Sequence, residues 1–201
     1  MAPIRSICVY CGSGDGRDPA YAECARSFGR ILAENNIALV YGGGDLGLMG
    51  LVASAVGEAG GHVTGIIPDF LQRREGIHRE VDELIVVEDM HTRKRLMFEK
   101  SDAFVALPGG IGTLEETVEM LTWHQLGRHR KPLALANVNG FWDPLIALFR
   151  HMRDEKFIRD GLEVRYVVAK QAETILPALH EALARLGPSA VDESGTPIDR
   201  L

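Results

Sequence analysis

Short apolar runs alternate along this chain with longer segments whose apolar positions recur every three or four residues. The runs at 6–10, 38–41, 62–67, 84–87, 103–107, 132–136 and 164–168 predict strands. The segments 19–34, 46–59, 90–100, 113–126, 141–153 and 174–186 predict helices. Residues 68–82 are polar and charged and read as a loop, longer than most connections and so a candidate for function. Strands alternating with helices imply an α/β fold: one doubly wound, Rossmann-like domain, mostly parallel, with helices on both faces. The domain is expected to span 1–186, followed at 187–201 by a mobile tail rich in small and polar residues.

In such a fold ligands bind beyond the carboxyl ends of the strands. Three glycine turns follow apolar runs and would meet on that edge: Gly12-Ser13-Gly14, Gly42-Gly43-Gly44 and Gly109-Gly110-Ile111-Gly112. The third leads from a buried strand into a helix. A helix start carries unpaired backbone N–H groups and the positive end of the dipole, and glycine lets a phosphate come close. Gly12, Gly14 and Gly16 lack the G-x-G-x-x-G spacing, and no Gly-Lys-Ser/Thr occurs. The expected ligand is therefore a phosphate ester smaller than a dinucleotide or a nucleoside triphosphate.

Thr113 and Glu116 fit a capping box, with Thr113 as N-cap. That reading leaves the preceding glycines, Glu115 and Glu119 unexplained. A carboxylate is repelled by a nearby phosphate, so Glu116 must gain something else: activating a water, or stabilising positive charge at a sugar carbon. Arg93-Lys94-Arg95 lies near the start of the 90–100 helix, where cations oppose the dipole. Some anion should offset them, either Glu88 or Asp89 on the surface, or a substrate phosphate or active-site carboxylate. Arg95 reads as a solvated surface residue.

Composition narrows the classes. The chain has 201 residues, 46% hydrophobic and 25% charged, enough for one soluble domain. A net charge of −6 argues against nucleic acid or an anionic membrane as partner. No apolar run is long enough to span a bilayer, the run after Arg5 is too short for a secretory core, and the cytoplasm is the expected location. Cys8 and Cys11 form a C-x-x-C, but inside a strand, where no helix start stabilises a thiolate. They read as buried cysteines. The histidines show no ligand spacing, so no metal is expected. Ser13 and Ser101 lack a G-x-S-x-G setting. Met90 and Met97 share a helical face and read as core. Trp123 and Trp142 suit a core or a stacked base equally well.

The paired motifs Met90-His91-x-Arg93-Lys94 and Pro108-Gly109-Gly110-x-Gly112-Thr113-x-x-Glu116 resemble those of the LONELY GUY (LOG) family. Tyr41-Gly42-Gly43-Gly44, Gly47-Leu48-Met49-Gly50, Trp123-x-Gln125-Leu126-Gly127 and Lys131-Pro132 match as well, and the likeness runs from Cys8 to about Gly161. The family's enzymes are cytokinin riboside 5′-monophosphate phosphoribohydrolases, many once labelled lysine-decarboxylase-like. The resemblance implies hydrolysis of an N-glycosidic bond, releasing adenine or an N6-modified base and ribose 5-phosphate, with no cofactor. It implies Arg93 and Glu116 as the catalytic pair. The substrate-binding set is then Ser13, Gly43, Glu75, Met90, Lys94, Gly109, Gly110, Gly112, Thr113, Glu115 and Thr122. The loop around Glu75 departs from the family pattern. A homodimer with the site near its interface is also implied. Two other classes are a non-catalytic nucleotide or molybdenum-cofactor carrier, and a pyridoxal-dependent decarboxylase. A carrier gains nothing from a carboxylate beside phosphate, and none of Lys94, Lys100, Lys131, Lys156 and Lys170 sits in a Schiff-base setting.

Overall fold

The computed structural model describes residues 4–75, 81–159 and 161–185, with the backbone alone at 73–75. The elements run β1 (Ser6–Tyr10), α1 (Pro19–Glu34), β2 (Ala38–Tyr41), α2 (Gly47–Glu58), β3 (Val63–Pro68), α3 (Asp69–Glu75) and β4 (Glu83–Val87). They continue with α4 (Met90–Glu99), β5 (Ala103–Ala106), α5 (Ile111–Gln125), β6 (Leu133–Ala136), a 3-10 turn (Val138–Gly140), α6 (Asp143–Asp154), β7 (Val167–Ala169) and α7 (Ala172–Arg185). Among the described residues the strands form one parallel sheet in the order β4-β3-β2-β1-β5-β6-β7.

The sheet is apolar on both sides, as a covered parallel sheet must be. Ile7 and Val9 of β1, with Cys11 beyond it, pack on one face beneath α1, α2 and α7. Cys8 and Tyr10 point to the other face, under α4, α5 and α6. Cys8 and Cys11 thus lie on opposite sides of the sheet, both buried and free. Burial pushes both thiols well above the ordinary cysteine range. Trp142 is core: its Nε1 donates to the carbonyl of Ala106 at 3.1 Å and its backbone N–H to Asn137 Oδ1 at 2.7 Å. Trp123 packs edge-on to Phe98.

Several boundaries differ from the sequence reading. The expected loop at 68–82 contains α3, and 76–80 lie outside the described residues. Asp69 in the first turn suits the helix dipole, but two turns hold too few apolar repeats to show a period. The last strand is Val167–Ala169 rather than 164–168, because its ladder pairs only with Ala134–Ala136 of β6. The helix expected from 141 begins at Asp143, after Asn137 has capped the turn through Trp142. The expected tail lies outside the described residues. No helix among the described residues is long and apolar enough to cross a membrane.

The Trp142 indole ties the start of α6 to the end of β5. Trp142→Phe should leave the Ala106 carbonyl without its donor and cost about 1–3 kcal/mol of stability, read as a lower urea midpoint at unchanged slope.

Candidate functional site

Strand order reverses at β1, with β2 on one side and β5 on the other. The crevice between the carboxyl ends of β1 and β5 is the switch point of the sheet. Two glycine turns meet there, joined by Gly12 N–H donating to the carbonyl of Pro108 at 3.1 Å. The Gly109-Gly110 turn then enters α5. Gly110 is the N-cap, with no side-chain bond, and the helix starts at Ile111. Thr113 is therefore the third helical residue, not the cap of a capping box. Its buried hydroxyl packs against Gly109, at the place where a Cβ would sit. The same Cβ would come within 2.8 Å of the Gly12 nitrogen, so only glycine fits. The chain thus leaves the α5 start uncovered and braces its turn from behind.

Arg93 is 7% exposed. Asp89 caps α4 by accepting from the Thr92 N–H at 2.7 Å, and so does not serve as the surface partner considered for Arg93. The guanidinium instead reaches the carboxyl ends of β2 and β3. Nε donates to the Ile66 carbonyl at 3.1 Å and one Nη to the Gly42 carbonyl at 3.3 Å. A Cβ at Gly42 would collide with that Nη, which gives this glycine a packing reason. The other Nη lies 3.8 Å from Glu116 Oε1, and the Met90 sulfur lies 3.7 Å from it.

Glu116, one turn into α5, is 9% exposed. Burial raises its carboxyl from the ordinary 4.5 to about 7, against the pull of Arg93 and with a further push from Glu115. A carboxyl near 7 is poised to exchange protons at neutral pH. Lys94 turns the other way along α4. Its ammonium holds Glu115 Oε1 at 2.6 Å and Glu119 Oε1 at 3.0 Å. Burial lowers the Lys94 pKa, but those bonds outweigh it, and the net shift is upward.

Arg93, Glu116, Met90, Gly109, Gly110, Gly112 and Thr113 all lie at this carboxyl edge. Gly43 is buried beside Ile66 and Ile67, with φ at +78°, and Ser13 is exposed on the turn after β1. Thr122 lies nearly two turns beyond Glu116, exposed, its hydroxyl donating to the Val118 carbonyl at 2.8 Å. The Glu75 side chain lies outside the described residues. Sequence reasoning missed Glu119 as a partner of Lys94; its spacing of four from Glu115 on one helix face was the available signal. It also missed the Ile66 and Gly42 carbonyls, which no side-chain pattern reveals.

A parallel sheet with glycine turns and a helix start at its switch point defines a doubly wound, Rossmann-type α/β protein. Residues 49–179 match the sequence model of the family described as "Possible lysine decarboxylase". The chain is 47% identical over 178 residues to cytokinin riboside 5′-monophosphate phosphoribohydrolase LOG7 of Arabidopsis thaliana, covering 89% of this chain and 82% of that one. It is also 47% identical to the LOG enzyme of the same name from Oryza sativa subsp. japonica, over 89% and 74%. The chain belongs to this LOG family of phosphoribohydrolases. The molybdenum cofactor carrier protein of Chlamydomonas reinhardtii superposes with a TM-score of 0.66 at 23% identity, over 89% of this chain and 98% of that one. A likeness at that identity is one of fold alone.

The raised Glu116 pKa has a consequence for stability. Between about 4.5 and 7 the folded protein keeps a proton that the unfolded chain gives up, so stability falls as pH rises through that window. Urea unfolding at pH 5 and pH 8 should show wild type losing on the order of 1–3 kcal/mol more than Glu116→Gln across the interval. Parallel pH dependences would remove the buried acid from the account.

Proposed function

We propose that this chain hydrolyses the N-glycosidic bond of adenosine 5′-monophosphates, N6-modified ones included, to free base and ribose 5-phosphate. The observation that carries the reading is the buried Arg93–Glu116 pair at 3.8 Å, one turn beyond an uncapped helix start. Relatives at 43–47% identity bear the name of that reaction.

The geometry suits the chemistry. The α5 N-terminus offers backbone N–H groups and dipole to a 5′-phosphate. Phosphate binding there would supply remote energy that orients the ribose toward Glu116. As the C1′–N bond breaks, its electron pair leaves with the base and C1′ gains oxocarbenium character. Ionised Glu116 stabilises that charge and accepts a proton from the water that attacks C1′. Net, the proton that water gives up is the one the departing base takes, so the hydrolysis balances. Arg93 is held by two carbonyls and keeps a buried Glu116 partly ionised.

The active form in this reading is a homodimer. Ile111 is 82% exposed on α5, and Leu148 and Met152 are exposed on α6. Between the two helices runs an apolar groove of about 420 Å³, lined by Ile111, Leu114, Phe141, Leu145 and Leu148. Apolar helical faces of this kind favour an isologous contact with a second copy. That face borders the Gly109-Gly110 turn, so a dimer formed through it would have its interface beside the candidate site.

Two measurements test these claims. Incubation with AMP and with isopentenyladenosine 5′-monophosphate should release free base, while the dephosphorylated nucleosides should not react. Glu116→Ala and Arg93→Ala should each lower kcat by about 100-fold or more. Intact AMP binding with no release from either nucleotide would favour a carrier instead. In light scattering, the double substitution Ile111→Asp and Leu148→Asp should convert a dimer to a monomer; a monomeric wild type would remove the dimer.

A further inference from the structure

The end of the sheet opposite the crevice holds a second concave surface, which the proposed chemistry does not use. Strands β6 and β7 begin there, and helices α5 and α7 end there. A cleft of about 290 Å³ opens among them. Arg130 lines it from the turn ahead of β6, Arg165 from the segment ahead of β7, and Arg185 from the last residue of α7. Among the described residues Glu163 is the one carboxylate in the lining, and its Oε1 accepts from the Gly161 N–H at 3.0 Å.

Three guanidiniums round one cleft repel each other, in a chain with 28 acidic residues against 22 Lys and Arg. The helix dipole accounts for one of them: Arg185, in the last turn of α7, complements the dipole and pairs with Glu181 at 2.6 Å. Arg130 and Arg165 belong to no helix. Both act on His124 at the end of α5. Burial lowers the His124 pKa, and the cations of Arg165 and Arg130 lower it further. The cleft is therefore positive where a ring of this protein meets it.

Its walls are set in advance. His129 Nε2 donates to the Met120 carbonyl at 3.0 Å, and Nδ1 accepts from the Lys131 N–H at 3.1 Å, so the ring is neutral and held in one tautomer. Burial brings its pKa down to about 4. His124 stands edge-on to it, with centroids 5.4 Å apart. Gln125 Nε2 donates to the Leu162 carbonyl at 2.6 Å, which ties the end of α5 to the segment that carries Glu163 and Arg165.

Guanidinium forks bind phosphoryl oxygens bidentately, and three of them match an anion of several charges better than one of a single charge. The volume lies at the low end for small-molecule sites, which suits a compact anion. We propose that this cleft is a second anion site, separate from the crevice, that takes a diphosphate group. Arg130, Arg165 and Arg185 bind its oxygens, and the neutral His124 and His129 rings form the wall behind it. Free pyrophosphate and the phosphate end of a nucleoside diphosphate share that chemistry. The site stands whether or not the crevice hydrolyses nucleotides.

The full chain is titrated with sodium pyrophosphate at constant ionic strength and followed by amide and histidine-ring NMR. The amides of Gly127, Gly161 and Leu162 should shift saturably. The groups around His124 are Arg130, Arg165, Arg185, Glu163 and His129, and the bound anion should raise the His124 pKa by offsetting the two nearest cations. Arg130 and Arg165 are exposed, so the double substitution Arg130→Gln and Arg165→Gln should keep the fold. It should weaken pyrophosphate about tenfold or more at these signals. Amides of the Gly110–Gly112 turn report the crevice separately and should respond alike in both proteins. Orthophosphate should bind the cleft at least about tenfold more weakly than pyrophosphate. ADP binding tighter than pyrophosphate would assign the cleft to the phosphate end of a nucleotide, and the reverse order to the free anion. Shifts confined to the Gly110–Gly112 turn, an undiminished response in the double variant, or orthophosphate binding as tightly as pyrophosphate would overturn the proposal.

Discussion

A buried guanidinium must be given acceptors, and the site is arranged around meeting that demand for Arg93. An unpaired cation in a low-dielectric interior costs several kcal/mol. Here two carbonyls at the ends of β2 and β3 answer it, with a carboxylate nearby. Both carbonyls lie just past the β2–β3 ladder, whose last pair is Tyr41 with Gly65. Gly42 then has to be glycine, since the guanidinium fills the space of its Cβ. Asp89 caps α4 and so leaves Arg93 to reach inward. Strand length, glycine placement and helix cap thus share one electrostatic cause.

The carboxylates of α5 divide by depth. Glu115 is exposed and Glu119 partly so, both bound by Lys94, whereas Glu116 is buried beside Arg93. The same residue type on consecutive positions therefore has different chemistry. Burial of Glu116 raises its carboxyl to about 7, and Arg93 keeps that rise from going further. A carboxylate paired more closely would stay ionised at neutral pH and exchange no proton. One without a cation would stay protonated. The 3.8 Å separation sits between those limits.

The strands and the crevice were legible because their signals are local. Apolar runs broken by glycine mark β1, β2 and β5 and place their turns on one edge. The exact helix start was less legible: Thr113 looks like a cap, but Gly110 takes that place and Thr113 packs back on Gly109. A seven-residue helix in a charged stretch, α3, left too short a pattern to read. The partners of Arg93 and Lys94 were hidden for another reason. Backbone carbonyls 27 and 51 positions away carry no side-chain signature, and the pairing of α4 with α5 is a tertiary fact.

Likeness of fold says little about which chemistry such a crevice performs. A carrier and a hydrolase can both use an open helix start to hold phosphate, because that service comes from the backbone. What separates the classes is an ionisable group held where the phosphate disfavours it. Glu116 is buried, lies one turn past the helix start and is flanked by two further carboxylates, so its position weakens phosphate binding. A binding protein would gain by replacing it with a neutral residue. A hydrolase keeps it, because the charge that repels the ground-state phosphate also stabilises the positive sugar carbon formed as the bond to the base breaks.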